Sequence, residues 1–103
     1  MTPENPRVAV LQQMLAIDPT NSFARYGLAM ELIKAGQLLA ALAEFETVLT
    51  HDPAYAAAYF HGGQTAEKLG DLDSARGFYR RGLENTRDAH ARAEMQGALE
   101  LLP

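Results

Sequence analysis

The sequence predicts an all-α fold: about six helices in antiparallel helix-turn-helix repeats, stacked as a short right-handed α-solenoid. Three observations predict it. Leu15–Pro19 reads L-A-I-D-P and Leu49–Pro53 reads L-T-H-D-P, a separation of 34 residues. The same spacing relates Gly36 to Gly70, Leu38 to Leu72, Ala41 to Ala75, Phe45 to Tyr79, Leu49 to Leu83 and Ala29 to Gly63. A unit of that length, with small residues at set points and Asp-Pro closing it, is the pattern of stacked helical hairpins. Finally, no segment carries a strand signal, and connections of a few residues imply antiparallel neighbours.

The elements follow in order. Residues 1–6 contain Pro3 and Pro6 and are expected to fray. A first helix over 6–17 starts at Pro6, whose missing N–H costs nothing in a first turn. Val8, Val10, Leu11, Met14, Leu15 and Ile17 form its apolar face. Asp18-Pro19-Thr20-Asn21 stops that helix and supplies caps for the next, over 22–35. Gly36 suits the left-handed residue that ends it. The third helix is expected over 38–50, with Leu39, Leu42, Phe45, Val48 and Leu49 on one side. Asp52-Pro53 repeats the stop, and a fourth helix is expected from Pro53 to Leu69, ended by Gly70. A fifth runs over 72–85, with Leu72, Ala75, Phe78, Tyr79 and Leu83 inward, and a sixth over 88–102. The expected core is Leu11, Leu15, Leu28, Ala29, Leu32, Leu42, Phe45, Leu49, Tyr59, Gly63, Ala66, Ala75, Tyr79 and Leu83.

At 103 residues the chain is one small domain with a modest core. Apolar residues make up 48% and charged residues 21%, as in ordinary globular chains. A net charge of −4 argues against general binding to nucleic acid or anionic membrane. The absence of cysteine removes disulfide and thiolate chemistry. The start M-T-P-E-N-P-R lacks a basic stretch followed by an apolar run, so no signal peptide is expected. No apolar run approaches the ~18 residues of a membrane span. A cytoplasmic protein is the expectation.

The residues at these spacings resemble the tetratricopeptide repeat family. Counting Ser22 as the start of one unit places Leu28, Ala29, Leu32, Ala41, Phe45, Val48 and Pro53 on the family's apolar, small and proline positions. Counting Ala56 as the start of the next places Tyr59, Gly63, Ala66, Ala75, Tyr79 and Gly82 there. Leu11, Met14, Leu15, Asp18 and Pro19 match the second half of a preceding unit. The layout, with the stretch F-A-R-Y-G-L-A over 23–29, is similar to small stand-alone bacterial members with about two repeats. The implied organisation is a half repeat over 7–19, full repeats over 22–55 and 56–87, and a capping helix over 88–102. Departures from the pattern are Arg25 and Gly62 where bulky apolar residues are usual, and Arg87 where proline is usual. In the last helix Met95, Ala98, Leu99 and Leu102 form a stripe out of the expected register.

The resemblance implies a protein-interaction module whose groove is lined by the first helix of each unit. The residues carried onto that face are Phe23, Tyr26, Met30 and Ile33, then Ala57, Phe60, Gln64 and Glu67. The candidate peptide-binding residues are therefore Phe23, Tyr26, Met30, Ile33, Phe60 and Gln64. The helix over 22–35 is apolar on most of its circumference, which suits a helix buried on two sides or one awaiting a partner. A contiguous apolar patch there would be a binding surface for a helix or peptide. The plain alternative is that Tyr26 and Phe60 stack on each other between repeats. A second functional reading is self-association through the same surface or through the Met95/Leu99/Leu102 stripe. The family's clamp for a chaperone's C-terminal carboxylate needs Lys and Asn where Tyr26 and Met30 stand, so that function is rejected.

Nothing else in the chain points to chemistry. Arg76, Arg80, Arg81, Arg87 and Arg92 are read as a solvated outer face. His51, His61 and His90 have no metal-ligand spacing, and His61 is expected at the surface. Gly62-Gly63 is not followed by a phosphate-loop lysine. Asp71 and Asp73 sit at a helix start, where carboxylates cap. No enzyme, cofactor or metal is expected. Gly62, Gly63, Gly77 and Gly82 weaken their helices by ~0.8–1 kcal/mol each. Gly63 and Gly82 occupy small-residue positions, whereas Gly62 and Gly77 are read as merely suboptimal.

Overall fold

The computed structural model describes residues 5–103. Six helices are formed: α1 (Pro6–Ile17), α2 (Ser22–Lys34), α3 (Leu38–His51), α4 (Ala56–Lys68), α5 (Leu72–Asn85) and α6 (Ala89–Leu101). There is no strand among the described residues. Consecutive helices pack on one another, and α4 also touches α6. The result is a short solenoid of 41 × 27 × 19 Å.

Local chemistry sets most of the helix ends. Asn5 caps α1 by accepting the Arg7 N–H at 2.9 Å. Asn21 caps α2 through Ala24 N–H at 3.0 Å, while Asp71 and Asp88 cap α5 and α6. Gly36 (φ +78°) and Gly70 (φ +77°) end α2 and α4 in the left-handed conformation. At each, the following residue donates back into the helix, Gln37 to Leu32 at 2.9 Å and Asp71 to Ala66 at 3.0 Å. These bonds satisfy carbonyls that a helix end would otherwise leave open.

One boundary differs from the sequence reading by more than a residue. Helix α4 begins at Ala56, not Pro53. Asp52 donates to Val48 at 2.8 Å and Tyr55 to Asp52 at 3.1 Å, so Pro53 and Ala54 form the turn after α3. Pro53 thus ends a helix rather than opening one, as Pro19 does before α2. The expected fraying over 1–6 fails at Asn5 and Pro6, which form the cap and first turn of α1. Residues 1–4 lie outside the described residues.

The core is narrower than expected and lies toward the C-terminal side. Ala29, Phe45, Leu49, Tyr59, Gly63, Ala66, Ala75 and Tyr79 are buried as anticipated, and Ala41 with them, whereas Leu39, expected on the apolar side of α3, is 74% exposed. Leu11, Leu15, Leu28, Leu32, Leu42 and Leu83 are only half-buried, because a single row of hairpins leaves no second layer over them. Val48, Phe78 and Met95 are buried as well, and so are Ala24, Ala58, Thr65 and Thr86, which the periodicity does not single out. Met95 is fully buried, with Leu99 and Leu102 packed against the core, so the stripe of α6 is spent inside this chain.

Candidate functional site

The first helices of the two full units, α2 and α4, carry the candidate residues. Phe23 stands out from the start of α2 with 69% of its surface exposed. Met30 lies beside it, half-buried, and both line a cleft of about 510 Å³ between α1 and α2. The walls are otherwise Pro6, Val10, Leu11 and Met14 of α1 and Gly27 of α2, with Arg7 and Glu31, 4.0 Å apart, at the edge. Val10 and Met14 were not among the sequence candidates. They come into view in the structure, where α1 matches a second-in-unit helix whose outer face no other helix of the described residues covers.

Phe60 and Gln64 lie elsewhere, in a depression of about 420 Å³ where α4 meets α5 and α6. Tyr79 and Leu101 share it, with Glu67 and Glu94 as acidic neighbours. The candidates therefore fall into two depressions. Between them Tyr26 does not stack on Phe60, contrary to the simpler expectation. His61 stands between the two rings, 5.9 Å from Tyr26 and 5.4 Å from Phe60. Tyr26 also meets Phe45 at 6.0 Å and Tyr55 at 5.3 Å. It is thus a packing residue that joins two repeats, and Ile33 likewise packs against the core.

This arrangement leaves His61 half-buried, where the sequence reading put it at the surface. Burial holds its pKa below the usual 6.5, against the opposing pull of Gln64 and Glu94. The Tyr26 phenol is pushed up, first by burial and then by Tyr55. Tyr79 is raised further, by burial and by its hydrogen bond to Glu67. These shifts follow from the half-burial of His61 and Tyr26 and the full burial of Tyr79 in the packing of the helices. Among the described residues no group of three or more His, Asp or Glu side chains converges as a metal site.

Of the five arginines read as a solvated face, Arg80 and Arg87 are exposed as expected, whereas Arg76, Arg81 and Arg92 are fastened to neighbouring groups. Arg81 pairs with Glu46 at 2.8 Å and lies over the rings of Tyr59 and Phe78. Arg76 pairs with Asp73 at 2.9 Å, and Arg92 donates to the carbonyls of Leu83 and Thr86. Arg25, unusual for its place in the repeat, donates to Glu44 at 2.9 Å and to the Pro19 carbonyl at 2.9 Å.

The tetratricopeptide repeat sequence pattern matches residues 26–90. The chain belongs to the tetratricopeptide repeat family. Its solved relatives include a tetratricopeptide-repeat domain protein from Salinibacter ruber. The crystal structure of that protein is 35% identical, covers 78% of this chain and 92% of its own, and superposes with a TM-score of 0.70. Its solution structure gives 36% identity, 81% and 87% coverage, and a TM-score of 0.73. YrrB, described as a TPR protein with an unusual peptide-binding site, shares the fold at 23% identity and a TM-score of 0.78, over 91% of this chain and 47% of its own. No protein of curated function matches the chain. Membership places this tetratricopeptide repeat chain among helical-hairpin scaffolds for protein–protein interaction, a non-catalytic family. No helix of the described residues is long and apolar enough to cross a membrane.

Proposed function

We propose that this chain binds a helix or extended peptide of another protein against the apolar face of α2, continuing onto α4. Phe23, Met30 and Ile33 supply the α2 part, Phe60 and Gln64 the α4 part, and Tyr26 ties the two together from beneath. The observation that carries this reading is Phe23, 69% exposed at the mouth of a cleft whose lining is apolar apart from Arg7 and Glu31. A folded monomer seldom leaves such a patch without use. The driving force is apolar burial, about 25 cal/mol per Å² removed from water, with Gln64 and the flanking charges fixing register.

A second reading has support from the same surface. Val10 at 54%, Ile17 at 87% and Phe23 at 69% exposure would also suit self-association. Peptides selected from a displayed library, compared between the wild type and Phe23→Asp, test the first reading. Peptides that bind only the wild type support it; a library yielding none that depend on Phe23, Phe60 or Gln64 overturns it. Sedimentation equilibrium across micromolar concentrations tests the second, since only self-association depends on the protein's own concentration. Phe23 is the right probe because its ring is free, whereas truncating Tyr26 would break three ring contacts inside the fold.

A further inference from the structure

The hairpin of α4 and α5 carries two aromatic pairs. At the first, the guanidinium of Arg81 lies 5.6 Å from the Tyr59 ring and 5.5 Å from the Phe78 ring, and it donates to Glu46 of α3 at 2.8 Å. Two buried rings and a carboxylate thus hold an arginine within this chain. One residue further along each helix stand Phe60 and Tyr79, with ring centroids 6.3 Å apart. This second pair lies in the depression where α4 meets α5 and α6, and among the described residues no lysine or arginine lines it.

Carboxylates complete the likeness. The Tyr79 hydroxyl donates to Glu67 and fixes it beside the rings, while Glu94 lines the depression from α6. Glu31, Glu44, Glu46 and Asp73 each meet a lysine or an arginine of this chain. Among the described residues no cation pairs with Glu67. Lys68 lines an adjoining notch with Gln64 and Glu67 and stays out of the depression itself. Glu94 has His90 beside it at 3.4 Å, a partner that carries charge only when protonated. The α6 wall is low, since a Cβ on Gly97 would meet nothing within 4 Å.

We propose that this depression takes an arginine side chain of the bound peptide, its guanidinium laid on Phe60 between Glu67 and Glu94. The proposal rests on the peptide-binding reading above and names the residue that fixes the peptide's register on α4. Tyr79 is fully buried, so it backs Phe60 and holds Glu67 in place, as Tyr59 and Phe78 are buried beneath Arg81. Arginine suits the site better than lysine. A planar guanidinium lies flat on a ring and its fork can reach two carboxylates at once, which a compact ammonium cannot do. The chain's net charge of −4 favours a basic foreign peptide over a second, like-charged copy.

The test titrates the isotope-labelled full chain with acetyl-Leu-Arg-Leu-amide and reads amide chemical shifts. The leucines are there to meet Leu101, which is 88% exposed at the rim. Citrulline, the neutral isostere, and lysine replace the arginine in two control peptides. The expected result is saturable shifts at Gln64, Gly97 and Ala98, with binding about tenfold or more weaker for the citrulline peptide and for Glu67→Gln combined with Glu94→Gln. Glu94→Gln alone, at a side chain 43% exposed, should fold and still bind about threefold less well; thermal melts verify the fold of each variant. Glu84→Gln removes an exposed charge outside the depression and should bind as the wild type does. Equal binding of the citrulline peptide, no saturation by about 10 mM, or an equal loss in Glu84→Gln overturns the site. A lysine peptide that binds as tightly overturns the choice of arginine. A concentration-dependent dimer abolished by the double variant overturns the choice of a foreign peptide. If this probe fails while library peptides still depend on Phe23, Phe60 or Gln64, the arginine site alone falls; if the library fails while the probe binds, the longer peptide reading falls instead.

Discussion

The backbone of Gly62 lies against the ring of Phe78, and a Cβ at residue 62 would come within 2.7 Å of two ring carbons. The contact joins α4 to α5 at full burial and overturns the reading of Gly62 as merely suboptimal. Gly77, in α5, has open space where its Cβ would be. The two glycines should therefore respond oppositely to alanine. Gly77→Ala should stabilise by roughly 0.5–1 kcal/mol, the helix-propensity difference alone. Gly62→Ala gains the same term but must push Phe78 aside, and overpacking of about 1–3 kcal/mol outweighs it. Urea midpoints for the two variants check both signs; a stabilised Gly62→Ala would mean that the ring has room to yield.

Arg25 and Glu44 pose a different question. Their side chains are 19% and 23% exposed, and the Arg25 Nε is buried without a hydrogen-bond partner. Removing one partner leaves the other charge poorly solvated. Glu44→Ala should therefore cost about 1–3 kcal/mol, whereas Arg25→Leu combined with Glu44→Leu should fall within about 1 kcal/mol of the wild type. A double-mutant cycle in denaturant checks it. Losses that simply add would show that the pair contributes no coupling.

Helix positions and most helix ends were legible because local chemistry sets them: Asn21 and Asp71 cap, and Gly36 and Gly70 accept positive φ. Pro53 misled because proline suits a first helical turn as readily as the turn before it, and the choice rests on the Tyr55-to-Asp52 bond of the folded chain. The half-buried leucines were over-assigned to the core because periodicity reports which face of a helix is apolar, not how many layers cover it. The half-burial of His61 was not legible, since its place between Tyr26 and Phe60 depends on how adjacent units stack. The apolar residues of α2 were legible as a surface. The second wall of their cleft, Val10 and Met14, becomes a candidate only when α1 is seen uncovered.

Arg81 tests how far a surface arginine supports this fold. Its guanidinium lies 5.6 Å from the Tyr59 ring centroid and 5.5 Å from that of Phe78, and it reaches back from α5 to Glu46 of α3. A lysine keeps the charge but not the planar stacking. Arg81→Lys should lose about 0.5–1 kcal/mol and Arg81→Ala somewhat more, because the stem also covers apolar surface. Thermal melts at low and high salt separate the contributions: the Glu46 part should fade with salt and the ring contacts should persist.

The pH dependence of stability should carry the mark of His61. Its pKa in the folded chain lies below 6.5 because burial between Tyr26 and Phe60 disfavours the imidazolium. The unfolded chain therefore holds more protons than the folded one between those two values, and stability rises with pH across that window. Full stability is present above about pH 7.5. It declines as pH falls through 6.5 and levels off once the folded state is protonated as well. The lowered carboxyls of Asp18, Glu31 and Asp71 act in the same direction but only in the carboxylate range, below their usual 3.8 to 4.5. Urea midpoints at about pH 7.5 and pH 5.5 isolate the histidine window. The wild type should be less stable at the lower value, and His61→Phe, which keeps the ring contacts, should lose most of that difference. An equal pH response in both proteins would place His61 in water rather than between the two rings.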